Sequence, residues 1–131
     1  MIEQTLDREK SVLHVRATGP LREDDFEALA QLVDPFIAET GRLRGLILET
    51  ARFPGWENLS ALIRHFRFVR DHHKKVDKVA IVTDSPLGEA AEHFASYFVA
   101  AEIRHFSAGK VEEARAWIDR KSTRLNSSHT R

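Results

Sequence analysis

Two short apolar runs constrain this chain more than any other feature: Leu-Arg-Gly-Leu-Ile-Leu at residues 43–48 and Lys-Val-Ala-Ile-Val at residues 78–82. Runs of this length, with little polar alternation, suit strands covered on both faces, and such strands belong to parallel sheets flanked by helices. Between them Leu59, Leu62, Ile63, Phe66 and Val69 or Arg70 recur at helical spacing, which predicts a helix over residues 58–71 with that stripe facing inward. A strand–helix–strand unit therefore sits at the centre of the chain, and the flanks must extend it.

They extend it in both directions. Residues 11–17 alternate apolar and polar, and residues 2–6 can pair with them through Asp7-Arg8-Glu9-Lys10, giving an opening antiparallel hairpin. Thr18-Gly19-Pro20 breaks the strand. Phe26, Leu29, Ala30, Val33, Phe36 and Ile37 then share one helical face behind the acidic Glu23, Asp24 and Asp25. Pro35 removes a backbone donor inside that helix, so a kink is expected near residue 34, and Thr40-Gly41 ends it. Ser85-Pro86 suits the start of a helix running to about Val99. Residues 102–106 read as the last strand, and Ser107 as the cap of a final helix through Arg120 with Val111, Ala114, Trp117 and Ile118 inward. The order is β-β-α-β-α-β-α-β-α, an α/β fold with a mixed, mostly parallel sheet and helices packed on it.

Residues 1–120 are expected to form one domain. Residues 121–131 hold a single large apolar residue, show no period, and resemble translated adapter or vector read-through, so they are set apart as a disordered tail. Three of the 20 basic side chains lie in that tail, which leaves 17 basic against 20 acidic in residues 1–120, a net charge of −3. A mildly acidic domain is poorly suited to nucleic acid, and none is expected as a partner. The absence of cysteine excludes disulfides, thiolate metal sites and cysteine nucleophiles. No basic segment leads into an apolar run at the start, and no stretch nears the ~20 apolar residues of a membrane span. A cytoplasmic location is the expectation.

Four motifs stand in the same order as in a known family. Gly19-Pro20-Leu21-Arg22-Glu23-Asp24-Asp25-Phe26 resembles that family's approach to its first helix, and Phe53-Pro54-Gly55-Trp56-Glu57 its aromatic Gly-Trp-Glu loop after the third strand. Val79-Ala80-Ile81-Val82-Thr83-Asp84 resembles its fourth strand, and Ile103-Arg104-His105-Phe106 with Glu113-Ala114 and Trp117-Ile118 its closing strand and helix. The chain thus resembles the SpoIIAA-like branch of the STAS fold, related to bacterial anti-sigma-factor antagonists. The resemblance implies a non-enzymatic regulatory domain. It implies a phosphoserine switch in the antagonists, and in the SpoIIAA-like branch a proposed role with apolar ligands and membranes. Here the segment that would carry the serine is Glu49-Thr50-Ala51-Arg52, so Thr50 is the sole hydroxyl offered for phosphorylation.

Three surfaces could carry function. Phe53 and Trp56 flank a Pro-Gly turn at a strand carboxyl end, where they either line a pocket or plug the seam between sheet and helix. Arg64, Arg67 and Arg70 lie three apart on the second helix beside Phe66 and are followed by Lys74 and Lys75, which suits either an anionic membrane or a solvated helix end. Phe94 and Phe98 lie four apart on a strongly apolar helix, a candidate ligand patch or homodimer face if not simply core. The histidines show no metal-binding spacing, no cofactor motif is present, and no nucleophile elbow or phosphate loop occurs. Glu49 and Glu57, either side of the aromatic loop, are the one carboxylate pair placed for acid/base work. The resulting expectation is a non-enzymatic domain that binds an apolar molecule or lipid and associates peripherally with membranes, with a protein-interaction regulator and an enzyme as alternatives.

Overall fold

A computed structural model of the chain describes residues 1–86 and 100–120. Its centre is a five-stranded sheet in the order β1-β2-β3-β4-β5. The strands are β1 (Ile2–Asp7), β2 (Val12–Ala17), β3 (Leu43–Glu49), β4 (Val76–Val82) and β5 (Glu102–Phe106). β1 and β2 are antiparallel, while β2–β3, β3–β4 and β4–β5 are parallel. The opening hairpin and the parallel remainder are those expected from the sequence.

Each central strand divides its side chains between two cores, because successive residues point to opposite faces. Leu13 and Val15 join α1 (Glu23–Thr40) through Phe26, Leu29, Val33, Phe36 and Ile37. Val12, Ile47, Ala80 and Val82 pack on α3 (Val111–Asp119) through Ala114, Trp117 and Ile118. Full burial of each such large side chain stabilises by ~1.5–3 kcal/mol. The helix α1 runs without interruption through the exposed Pro35 and ends at Gly41, whose φ of +96° favours glycine.

Sheet and α3 meet very closely at Gly45, where an added Cβ would lie 2.4 Å from Ile118 Cγ2. Lys78 of β4 also faces α3 and is 4% exposed. Its ammonium donates to the carbonyls of Trp117 and Arg120, both at 2.9 Å, and lies 5.1 Å from the Trp117 ring. α3 has no basic residue in its last turn, so a strand supplies the cation its carboxyl end favours. Burial pulls the Lys78 pKa below the ordinary lysine value.

α3 begins later than the sequence suggests. Ser107 does not cap it; the chain first turns through Gly109 at φ +86°, and Lys110 holds the N-cap position. The helix expected from Ser85 to about Val99, and the tail, fall outside the described residues.

The second helix differs most. α2 (Leu59–His72) starts where expected, with Asn58 Oδ1 accepting the Ala61 N–H at 2.9 Å. Three members of its predicted inner stripe point outward, however: Leu59 is 70%, Ile63 44% and Phe66 65% exposed, while Leu62 and Val69 are half-buried. The inner side is instead Ala61, His65, Phe68 and His72, at the same 4-3-4 spacing. The reason is polar. His65 and His72 both find hydrogen-bond partners and aromatic neighbours on the protein side, so the helix settles with them inward.

Candidate functional site

At the carboxyl ends of β2, β3 and β4, on the α1 side of the sheet, lies a cavity of about 330 Å³. Among the described residues its floor is Ile2, Val15 and Ala17, the segment Leu48–Glu49–Thr50, and Ile81 with Thr83. One wall is the start of α1, with Leu21, Asp25, Phe26 and Leu29. Phe53, Trp56 and His65 complete it. The lining is overwhelmingly apolar, and its position at strand carboxyl ends is the usual one for ligands in α/β sheets.

The loop above the cavity is stitched to the approach to α1. Leu21 N–H donates to the Gly55 carbonyl at 2.8 Å and Glu57 N–H to the Leu21 carbonyl at 2.7 Å. Gly55 has φ +82°, the left-handed region that only glycine enters freely. An ion pair between Arg22 and Glu57 at 3.2 Å spans the same seam. Phe53 meets Trp56 edge-to-face with centroids 4.9 Å apart. The indole N–H of Trp56 donates to Nδ1 of His65 at 3.0 Å.

His65 is the hub of this corner. Its ring stacks on Phe26 with centroids 4.9 Å apart and an interplanar angle of 21°, and lies 6.4 Å from Phe66. Burial lowers its pKa from 6.5 to about 4, so the ring is neutral at neutral pH. Two turns on, His72 stacks on Phe68 at 4.1 Å and bonds Asp34 of α1 at 2.6 Å, which ties α2 to α1.

Thr50 lines the cavity, with its hydroxyl donating to the Arg52 carbonyl at 2.8 Å. Glu49 and Glu57 do not act as a pair: Glu57 faces Arg22, and Glu49 accepts from Nε2 of His14 at 2.7 Å. Arg115 of α3 donates to the other nitrogen of that ring at 3.1 Å. Of the ligand-binding residues expected from sequence, Phe53 and Trp56 meet at the cavity. Phe66 does not line it and stands exposed on α2, while Phe94 and Phe98 lie outside the described residues.

The basic residues form a second surface. Arg67 and Arg70 are exposed on α2, Arg64 is half-buried, and Lys74 and Lys75 are exposed in the 3-10 turn that follows. Arg70 pairs with the adjacent Asp71 at 3.1 Å; no ion pair involves Arg64, Arg67, Lys74 or Lys75 among the described residues. Arg64, Arg67 and Arg70 share α2 with the exposed Leu59, Ile63 and Phe66. No described helix is long and apolar enough to cross a membrane. No group of three ligating side chains among the described residues is placed to hold a metal.

Sequence reasoning missed His65, Asp25 and His14. A lone histidine on a helix carries no signal of its own, and its partners here are set by tertiary contacts. Only the outward turn of Leu59, Ile63 and Phe66 makes His65 an inner residue.

Known proteins of this kind share the architecture. The SpoIIAA-like family model matches residues 12–119. The crystal structure of an uncharacterized protein of the DUF3478 family from Shewanella loihica PV-4, with a SpoIIAA-like fold, superposes with a TM-score of 0.70 at 23% identity, over 90% of this chain and 92% of that one. No curated protein matches the chain. With its sheet order, its aromatic loop and a family match over most of its length, the chain belongs to the SpoIIAA-like family.

Proposed function

We propose that this domain is a non-enzymatic binding module that holds a small apolar molecule in the cavity beneath the Phe53–Trp56 loop. The cavity itself carries the reading: about 330 Å³, lined almost wholly by carbon, at the carboxyl ends of parallel strands. A pocket of that size and lining suits an apolar guest.

The exposed stripe of α2 favours a second element, contact with an anionic membrane. Leu59, Ile63 and Phe66 offer apolar anchors, and each nearby cation adds ~1 kcal/mol at an anionic surface. His65 and Phe66 are neighbours on α2, so the helix that would meet lipid also walls the cavity.

Co-sedimentation with vesicles tests the membrane element, and solvent extraction of the purified protein tests the cavity. Binding to vesicles containing anionic lipid, weaker in high salt, is expected, together with a co-purified apolar compound. A protein that stays in the supernatant at low salt contradicts the membrane element. A cavity that refuses every apolar probe contradicts the module itself.

A further inference from the structure

Among the described residues, the polar side chains at the cavity are Asp25, Glu49, Thr50, Trp56, His65 and Thr83. Nearly all are already engaged. Asp25 accepts the Arg22 N–H at 2.8 Å and faces the Met1 amino group at 2.7 Å. Glu49 accepts from His14. The hydroxyls donate to carbonyls, Thr50 to Arg52 at 2.8 Å and Thr83 to Ala51 at 3.3 Å. The Trp56 indole donates to His65.

That last bond decides what His65 can do. An indole nitrogen only donates, so Nδ1 of His65 must accept, and the neutral ring then carries its proton on Nε2. Among the described residues, no hydrogen bond engages Nε2 of His65. It is thus the one uncommitted donor among these side chains, on a ring held in place by Phe26. Burial keeps this ring uncharged at neutral pH.

We propose that the cavity selects an uncharged apolar molecule bearing one carbonyl acceptor, an ester or ketone, and that Nε2–H of His65 is the group that receives it. This rests on the reading of the cavity as an apolar-ligand site. A carboxylate is disfavoured, because the described lining offers no cation to it and already includes Asp25 and Glu49. A pure hydrocarbon fits the walls but covers Nε2–H without bonding it, which forfeits a hydrogen bond that water had supplied. The indole–imidazole bond therefore does more than hold the loop: it sets which ring nitrogen offers the proton.

Three probes of similar length separate these cases: methyl decanoate, undecane and decanoate, titrated into the full chain at neutral pH. The ester is expected to bind roughly ten-fold tighter than undecane, the worth of one neutral hydrogen bond, and decanoate more weakly than the ester. In His65→Phe the preference for ester over undecane is expected to vanish while undecane still binds. Nitrogen NMR of the wild-type ring should show the Nε2–H tautomer and a shift of Nε2 on adding ester, a readout that stands even if His65→Phe fails to fold. Equal binding of ester and undecane overturns the role of His65 and leaves the apolar site standing. Tightest binding by decanoate, or an Nδ1–H tautomer, also overturns it. Failure of all three probes to bind overturns the apolar-ligand reading together with this inference.

Discussion

Trp56 donates its indole N–H to Nδ1 of His65 at 3.0 Å, joining the loop after β3 to the inner face of α2 across the mouth of an apolar cavity. Replacing Trp56 by Phe keeps an aromatic ring against Phe53 but removes the donor. A loss of ~1 kcal/mol in chemical denaturation is expected, the worth of one partly buried hydrogen bond. Nδ1 of His65 would then no longer be obliged to accept, and ring NMR should report a mixture of tautomers. An unchanged midpoint and an unchanged tautomer would show that the bond does not organise the site.

Acid should act on the same ring. The folded-state pKa of His65, about 4, lies below the 6.5 of an unperturbed histidine, because burial disfavours the charged form. The unfolded chain therefore binds the proton first. The stability that His65 contributes is complete above pH 6.5 and is lost as pH falls towards 4, by ~3 kcal/mol in all. Across this window wild type should lose ~3 kcal/mol of stability relative to His65→Phe in denaturation curves as acid is added. Parallel curves would refute the assignment.

Much of the fold could be read from the sequence, and the reason is local. β3 and β4 announce themselves as continuous apolar runs, Gly41 marks a helix end by its positive φ, and Asn58 marks a helix start by its side-chain cap. The cavity was only half legible. Phe53 and Trp56 stand out beside a Pro-Gly turn, but the floor is assembled from Ile2, Val15, Leu48 and Ile81, which only the strand pairing brings together. The inner face of α2 was misread because two stripes on one helix share the same spacing. The apolar one was the natural choice, and the histidines' partners, Trp56 and Asp34, cannot be seen from within the helix.

The outward stripe of α2 gives a clean dissection. Leu59→Ser with Phe66→Ser changes two exposed side chains, so stability should shift by no more than about 0.5 kcal/mol for each. Pelleting with anionic vesicles should nevertheless fall several-fold, and Arg67→Glu with Lys74→Glu should lower it further at low salt. Vesicle binding that is indifferent to both pairs would remove α2 from the membrane account.

On the opposite face, Gly45 tests the packing of sheet on α3. Gly45→Ala places its Cβ against Ile118 and should cost ~1–3 kcal/mol, since the nearest atom lies on a β-branched carbon with little room to move. In a double-mutant cycle with Ile118→Ala, the cost of Gly45→Ala should largely disappear. Additive costs would mean that the two residues are not in contact. Neither change should alter ligand binding, because this core is separate from the cavity.

The most direct test of the central claim is methyl NMR during titration with methyl decanoate. Shifts are expected at Val15, Leu29, Leu48 and Ile81, which line the cavity, and at the Trp56 indole N–H. Ile47, Val82 and Ile118 on the α3 side should stay unmoved. A spectrum that does not respond, or one in which both faces of the sheet shift alike, would contradict an apolar-ligand site beneath the Phe53–Trp56 loop.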